Sequence, residues 1–165
     1  MRLDTPIRRA MLAVLSVLML LTLAFIFSNS LRTPEESVEQ SSAVGGALAA
    51  IFPPDTALGA FISENLRKLA HFAEYAVLGV ECAMLVIFYL QKPLVSASLS
   101  LPMAVCVAVV DESLQYLSQR GPSVSDVWID FSGFLLASLL CYGTTLVIRL
   151  LRNGRKNNNL ENNDG

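Results

Sequence analysis

The residues able to do chemistry fall in two blocks. The first is Arg67, Lys68, His71, Glu74 and Tyr75; the second is Asp111, Glu112 and Gln115, then Arg120, Asp126 and Asp130. A histidine beside carboxylates supplies a general base and the group that orients it. His71 is the only histidine in the chain and takes the part of base. Glu74 or Glu112 is expected to fix its tautomer, with Asp126 completing the catalytic set. Lys68 and Arg120 offer cations for a phosphate or carboxylate, and Arg67, Tyr75, Asp111, Gln115 and Asp130 complete the expected substrate-binding set. Carboxylates and imidazole also suit a divalent cation. No dense ligand motif such as His-Glu-x-x-His is present, however, so no residue is assigned to a metal. No nucleophile elbow, P-loop or dinucleotide fingerprint occurs. Ser113 and Ser125 lie near the blocks with nothing to mark either as an activated nucleophile.

The elements that must position these residues are membrane helices. The chain has 165 residues, 53% apolar and only 16% charged, with a mean hydropathy of +0.52. A soluble domain carries about 25% charged residues. Apolar runs cover 10–27, 69–90, 94–110 and 127–148. A run of 18 residues spans about 27 Å as a helix, close to the hydrocarbon thickness. In lipid each segment must satisfy its own backbone polar groups, which makes the runs helices. The expected fold is all-α: a polytopic membrane domain over 1–152, with a disordered polar tail at 153–165. The first run is longer than a signal-peptide core and no Ala-x-Ala site follows, so it reads as a retained helix. An ordinary soluble globule, a disordered chain and a coiled-coil rod are excluded. The net charge of −2 offers no basic field for nucleic acid.

Lysine and arginine counts set the expected orientation. With the N-terminus cytoplasmic, the inside carries Arg2, Arg8, Arg9, Lys92, Arg149, Arg152, Arg155 and Lys156, and the outside Arg32, Arg67, Lys68 and Arg120. That bias places both termini in the cytoplasm and makes Gln91-Lys92-Pro93 a tight inner turn. Between the first two spans, Thr33-Pro34-Glu35-Glu36 reads as a helix start: Thr caps, Pro takes the first helical position and Glu36 closes a capping box. That helix is expected to stop before Pro53-Pro54. Asp55 is expected to cap a short helix toward Leu66, both helices lying on the outer membrane surface. Cys82, Cys106 and Cys141 fall within spans, without metal-ligand spacing, and read as reduced packing thiols.

The charges then converge. Arg67, His71, Glu74, Leu78 and Glu81 follow helical spacing on the second span. The third span leaves the membrane at Asp111-Glu112 and the fourth enters at Asp126, followed by Asp130 and Gly133. All these polar ends fall at the outer boundary. An ionised Asp in hydrocarbon costs about 2.5–3.5 kcal/mol on the insertion scale, so such groups turn inward and pair. One outward-facing pocket is the expected result, with Gly133 allowing close helix approach. Singly, each residue has a plainer role: Asp111 and Glu112 as a solvated helix end, Asp126 as an N-cap, Arg120 on outer-leaflet phosphates. Glu81 lies deeper, with Ser138 or Tyr142 as its expected partner.

Lys68-x-x-His71-Phe72-x-x-Tyr75-x-x-Leu78-Gly79 resembles the second-helix motif of the VanZ-like family. Asp111-Glu112-x-x-Gln115, Arg120, Ser125-Asp126 and Gly133 resemble its second block, and Phe27-Ser28-Asn29-Ser30 resembles its exit from helix one. The likeness covers about residues 20 to 145. The chain departs from the family pattern at Asp130, where Asn is usual. It departs again at Ala137, in place of a second Gly, and at Leu117-Ser118-Gln119, in place of Pro-Gly. The resemblance implies a multi-pass protein of the bacterial cytoplasmic membrane and a link to teicoplanin-type glycopeptide resistance.

Three functions fit these residues. One is an envelope enzyme that hydrolyses or transfers a group on a lipid-linked substrate or cell-wall precursor. Another is a non-catalytic binder of membrane lipid or glycopeptide. The third is a small ion-coupled carrier using the stripe from His71 to Glu81, though the helices lack paired Gly/Pro breaks.

Overall fold

The protein is described by a computed structural model over residues 5–90, 93–119, 121 and 123–161. Among these residues there are five helices and no strand: α1 (Thr5–Ser30), α2 (Pro34–Ala49), α3 (Ala57–Leu90), α4 (Pro93–Leu117) and α5 (Val124–Glu161). All but α2 contain a stretch long and apolar enough to cross a membrane, so the chain is an all-α polytopic membrane protein. Their outward faces are apolar, as a lipid environment requires: Leu20, Leu21, Leu140 and Leu150 are all exposed.

Start signals in the sequence operate as local chemistry demands. Thr33 caps α2, its side chain accepting from the Glu36 backbone at 3.3 Å while the Thr33 N–H donates to the Glu36 carboxylate at 3.0 Å. The cap of α3 is Thr56 rather than Asp55: its hydroxyl accepts from the Gly59 N–H at 3.0 Å. The short helix expected after Asp55 is not separate. It runs into the second span through one non-helical residue, Asn65 (φ −114°, ψ 15°). The third helix does not end at 110 but continues to Leu117, which keeps Asp111, Glu112 and Gln115 on one helix. The last helix continues to Glu161, so most of the segment expected to be a disordered tail is helical. The Gln91-Lys92 turn lies outside the described residues.

Two kinds of contact register the bundle. Apolar and small residues fill its centre: Ile26 of α1, Tyr75, Leu78 and Cys82 of α3, Ala104 and Ala108 of α4, and Phe134 of α5. With no hydrophobic drive between helices in lipid, close backbone approach and hydrogen bonds decide the packing. At Gly79 a Cβ would collide with the backbone of Phe134, and at Gly133 with the backbone of Phe72. The expected role of Gly133 therefore holds, with Gly79 as its counterpart.

Between α1 and α3, Asn29 Nδ2 donates to Glu74 Oε1 at 3.1 Å and Thr22 Oγ1 to Glu81 Oε1 at 3.0 Å. Each pair lies seven residues from the other on both helices, in opposite senses, as antiparallel packing requires. Glu81 thus finds its partner on α1. Ser138 instead donates to the Phe134 carbonyl at 2.7 Å, and Tyr142 pairs with Ser100 at 2.5 Å. At the other end of α3, Arg8 donates to the carbonyls of Phe88 and Tyr89, both at 3.0 Å, satisfying acceptors that the last helical turn leaves open.

Candidate functional site

The polar residues of α3 do not form a single stripe. Glu74 and Glu81 face α1, whereas His71, Tyr75, Leu78 and Cys82 step along the face turned to α4 and α5. On α4 the inward face runs through Ser100, Ala104, Ala108, Asp111 and Gln115, all buried. These residues follow i+4, i+4, i+3, i+4 spacing. Small residues occupy its apolar length and hydrogen-bonding ones its end. On α5, Asp130 lies one turn before Gly133, so the glycine contact at Phe72 sets the neighbouring His71 against Asp130.

At the centre of the site His71 Nδ1 stands 3.3 Å from Asp130 Oδ1 and 3.9 Å from Asp111 Oδ2. Both aspartates are completely buried. Asp111 also accepts from the Ser30 hydroxyl of α1 and, at 3.3 Å, from Gln115 Nε2. Gln115 Oε1 accepts from Arg67 Nη2 at 2.7 Å, and the same nitrogen lies 4.0 Å from Asp126 Oδ2. Arg67 thus ties α3, α4 and α5 together while its side chain stays 45% exposed at the mouth.

Glu112 accepts from the Ser123 N–H at 2.8 Å and from Gln115 Nε2 at 3.1 Å, bracing the turn into α5. Asp126 is in the first turn of α5, which suits the helix dipole, but it is not the cap: the helix begins after Ser123, whose carbonyl accepts from the Asp126 and Val127 N–H groups.

A cavity of about 90 Å³ opens beside these groups, lined by Asn29 and Ser30 of α1, Ser37, Gln40, Ser41 and Val44 of α2, and Leu66, Arg67, Ala70, His71 and Glu74 of α3. The cavity is open and has room for a phosphate-sized group, and a wider cleft of about 800 Å³ along α2 shares Ser37, Ser41, Leu66 and Arg67 with it. A shallow apolar furrow lies next to it between α1 and α3, lined by Leu21, Thr22, Phe25, Ala73, Glu74 and Val77. Glu74 borders both.

The sequence-based set therefore divides. Arg67, His71 and Glu74 reach the cavity, Asp111 and Asp130 lie behind His71, and Gln115 anchors Arg67. The residue oriented toward His71 is Asp130, neither Glu74 nor Glu112. Tyr75 is a core residue with no exposure, its hydroxyl donating to the Val107 carbonyl at 3.4 Å. Lys68 is exposed and does not line the cavity, so Arg67 is the cavity cation among the described residues. Arg120 lies outside the described residues. Asp111 and Glu112 are buried, not a solvated helix end.

Sequence reasoning missed Asn29 and Ser30 as site residues, and missed the wall that α2 supplies. Polar side chains closing an apolar run were the signal for the first two. Cys82, Cys106 and Cys141 are free thiols, but only Cys82 is buried in the packing of the bundle; Cys141 is half-buried and Cys106 is exposed on its outer face.

The profile of the VanZ/LLP1 family matches residues 13–149. No curated protein and no solved structure matches the chain. The matched stretch takes in most of α1, all of α2 to α4 and the membrane part of α5, with both polar blocks inside it; the chain belongs to the VanZ/LLP1 family.

Proposed function

We propose that this VanZ-family protein binds and processes an amphiphile at the outer face of the bacterial cytoplasmic membrane. The substrate is a lipid-linked or cell-wall-related molecule with a phosphate or carboxylate head, and its processing contributes to resistance to teicoplanin-type glycopeptides. Both termini are cytoplasmic in this reading, from the positive-inside bias. The observation that carries it is the junction at Glu74, where a polar cavity meets an apolar furrow that faces the lipid. Such a junction suits a molecule with a charged head and an acyl tail.

In the cavity Arg67 meets the anionic head, and α2 closes over it. His71 takes a proton from water or a substrate hydroxyl, held in place by Asp130 and Asp111. Membrane lipids and a cell-wall precursor are the partners this reading implies.

The test is a profile of membrane lipids and cell-wall intermediates in a deletion strain and in a strain carrying His71→Gln. A lipid-linked species that accumulates in both is the expected result and names the substrate. Unchanged profiles in both overturn the proposal. Accumulation only in the deletion strain leaves binding without turnover and overturns the role of His71 as base.

A further inference from the structure

Asp130 is completely buried, yet neither of its carboxylate oxygens takes part in a hydrogen bond. His71 Nδ1 stands 3.3 Å from Oδ1, and that nitrogen is also buried without a hydrogen bond. Asp111 presents Oδ2 to the same nitrogen at 3.9 Å. One donor atom from each of His71, Asp111 and Asp130 lies within 4.8 Å of the other two. Buried polar atoms in folded proteins almost always have a partner. Two buried carboxylates side by side are costly without a counter-charge. His71 and Asp130 stand within ion-pair distance but make no aligned hydrogen bond, an arrangement that a positive ion shared between them satisfies.

We propose that His71, Asp111 and Asp130 form a binding site for a divalent transition cation of the zinc or manganese type. Mixed imidazole and carboxylate donors favour this class over calcium, which takes six to eight oxygens. Donor atoms about 2.1 Å from a tetrahedral ion stand about 3.4 Å apart. The spacing of 3.3 Å between His71 and Asp130 meets that, and Asp111 Oδ2, 3.9 Å from His71 Nδ1, stands about 0.5 Å further out. Three protein ligands leave one position open, the arrangement of catalytic zinc sites. The open side is the cavity, which His71 lines. Ser30 donates to Asp111 Oδ1 and Gln115 Nε2 to Oδ2, orienting the carboxylate as outer partners of metal ligands do. The inference rests on reading this cavity as the functional site; with Nδ1 on the ion His71 would serve as ligand, and water held at the open position would take over the part of base beside Arg67.

The test uses the full chain purified in detergent, stripped with chelator and equilibrated with Zn²⁺ alone. Bound zinc is measured by elemental analysis and its ligands by X-ray absorption. The expected result is about one ion per chain, with nitrogen and oxygen neighbours and no sulfur. Asp111→Asn and Asp130→Asn should each weaken zinc binding at least 100-fold with helicity retained, while Glu64→Gln, on the exposed outer surface of α3, should leave it unchanged.

An unmetallated wild-type protein, sulfur ligation, or wild-type affinity in the folded Asp111→Asn/Asp130→Asn double variant would overturn the site. Should those variants fail to fold, the absorption spectrum of the wild-type protein decides alone. No lipid is present in this assay. Altered lipid profiles with no ion bound therefore remove only the cation, whereas a bound ion with unchanged profiles removes only the amphiphile reading.

Discussion

Gly133 of α5 lies against the backbone of Phe72 of α3, so close that a Cβ there would collide with the Phe72 carbonyl oxygen. The contact seats His71, next in sequence to Phe72, against Asp130, one turn before the glycine. Packing and site geometry are thus set by the same missing side chain.

Gly133→Ala forces the two backbones apart at the point that carries the site. Overpacking of this kind costs about 1–3 kcal/mol. The expected outcome is a lower midpoint of unfolding in detergent and loss of function together. Unchanged stability would show that the helices tolerate the separation.

Thr22 and Glu81 form an isolated polar pair at membrane depth, and Glu81 Oε2 is buried without a partner. Thr22→Val removes the donor to Oε1. Interhelical bonds in membranes average about 0.6 kcal/mol and reach about 1.7, which sets the expected loss. Adding Glu81→Leu should restore most of it, because replacing both partners by apolar groups is nearly neutral. Denaturant titration of the single and double variants tests the pair, and a double variant weaker than Thr22→Val would refute it.

Gln119 follows α4 with a φ of 61°, in the left-handed region that non-glycine side chains avoid. A left-handed residue with a Cβ costs about 1–2 kcal/mol, part of which glycine returns as unfolded-state entropy. Gln119→Gly should therefore raise stability by roughly 0.5–1 kcal/mol without altering function. A fall in thermal midpoint would contradict this.

Arg67 and Lys68 are adjacent cations with different fates. Arg67 lines the cavity and bonds Gln115, whereas Lys68 is exposed and outside the cavity. With a long-chain alkyl phosphate as probe, Arg67→Gln should weaken binding about tenfold, or about 1.4 kcal/mol. Lys68→Gln should change it less than twofold. Equal losses would mean that both act through surface charge alone.

The sequence alone located the four spans and the capping box at Thr33, because each depends on neighbours a few residues away, though not the ends of α4 and α5 or the fusion of the helix after Thr56 with the second span. Apolar runs must be helical in lipid wherever they pack, and Thr33, Pro34 and Glu36 satisfy one another locally. It also fixed the end of the bundle at which the charges gather, since burial cost forbids scattering them in hydrocarbon. Which charges meet was settled by packing between segments far apart in the chain. Ser30 reaches Asp111 across 81 positions, Thr22 reaches Glu81 across 59, and Arg67 reaches Gln115 across 48. Helical spacing gives a face but not the neighbour it turns to. That choice followed from Gly79 and Gly133, which let α3 and α5 approach and so put Asp130 rather than Glu74 or Glu112 beside His71. Tyr75 shows the same division: its place in the motif was legible, but its burial in the core came from helix rotation, which is settled by packing on every side at once.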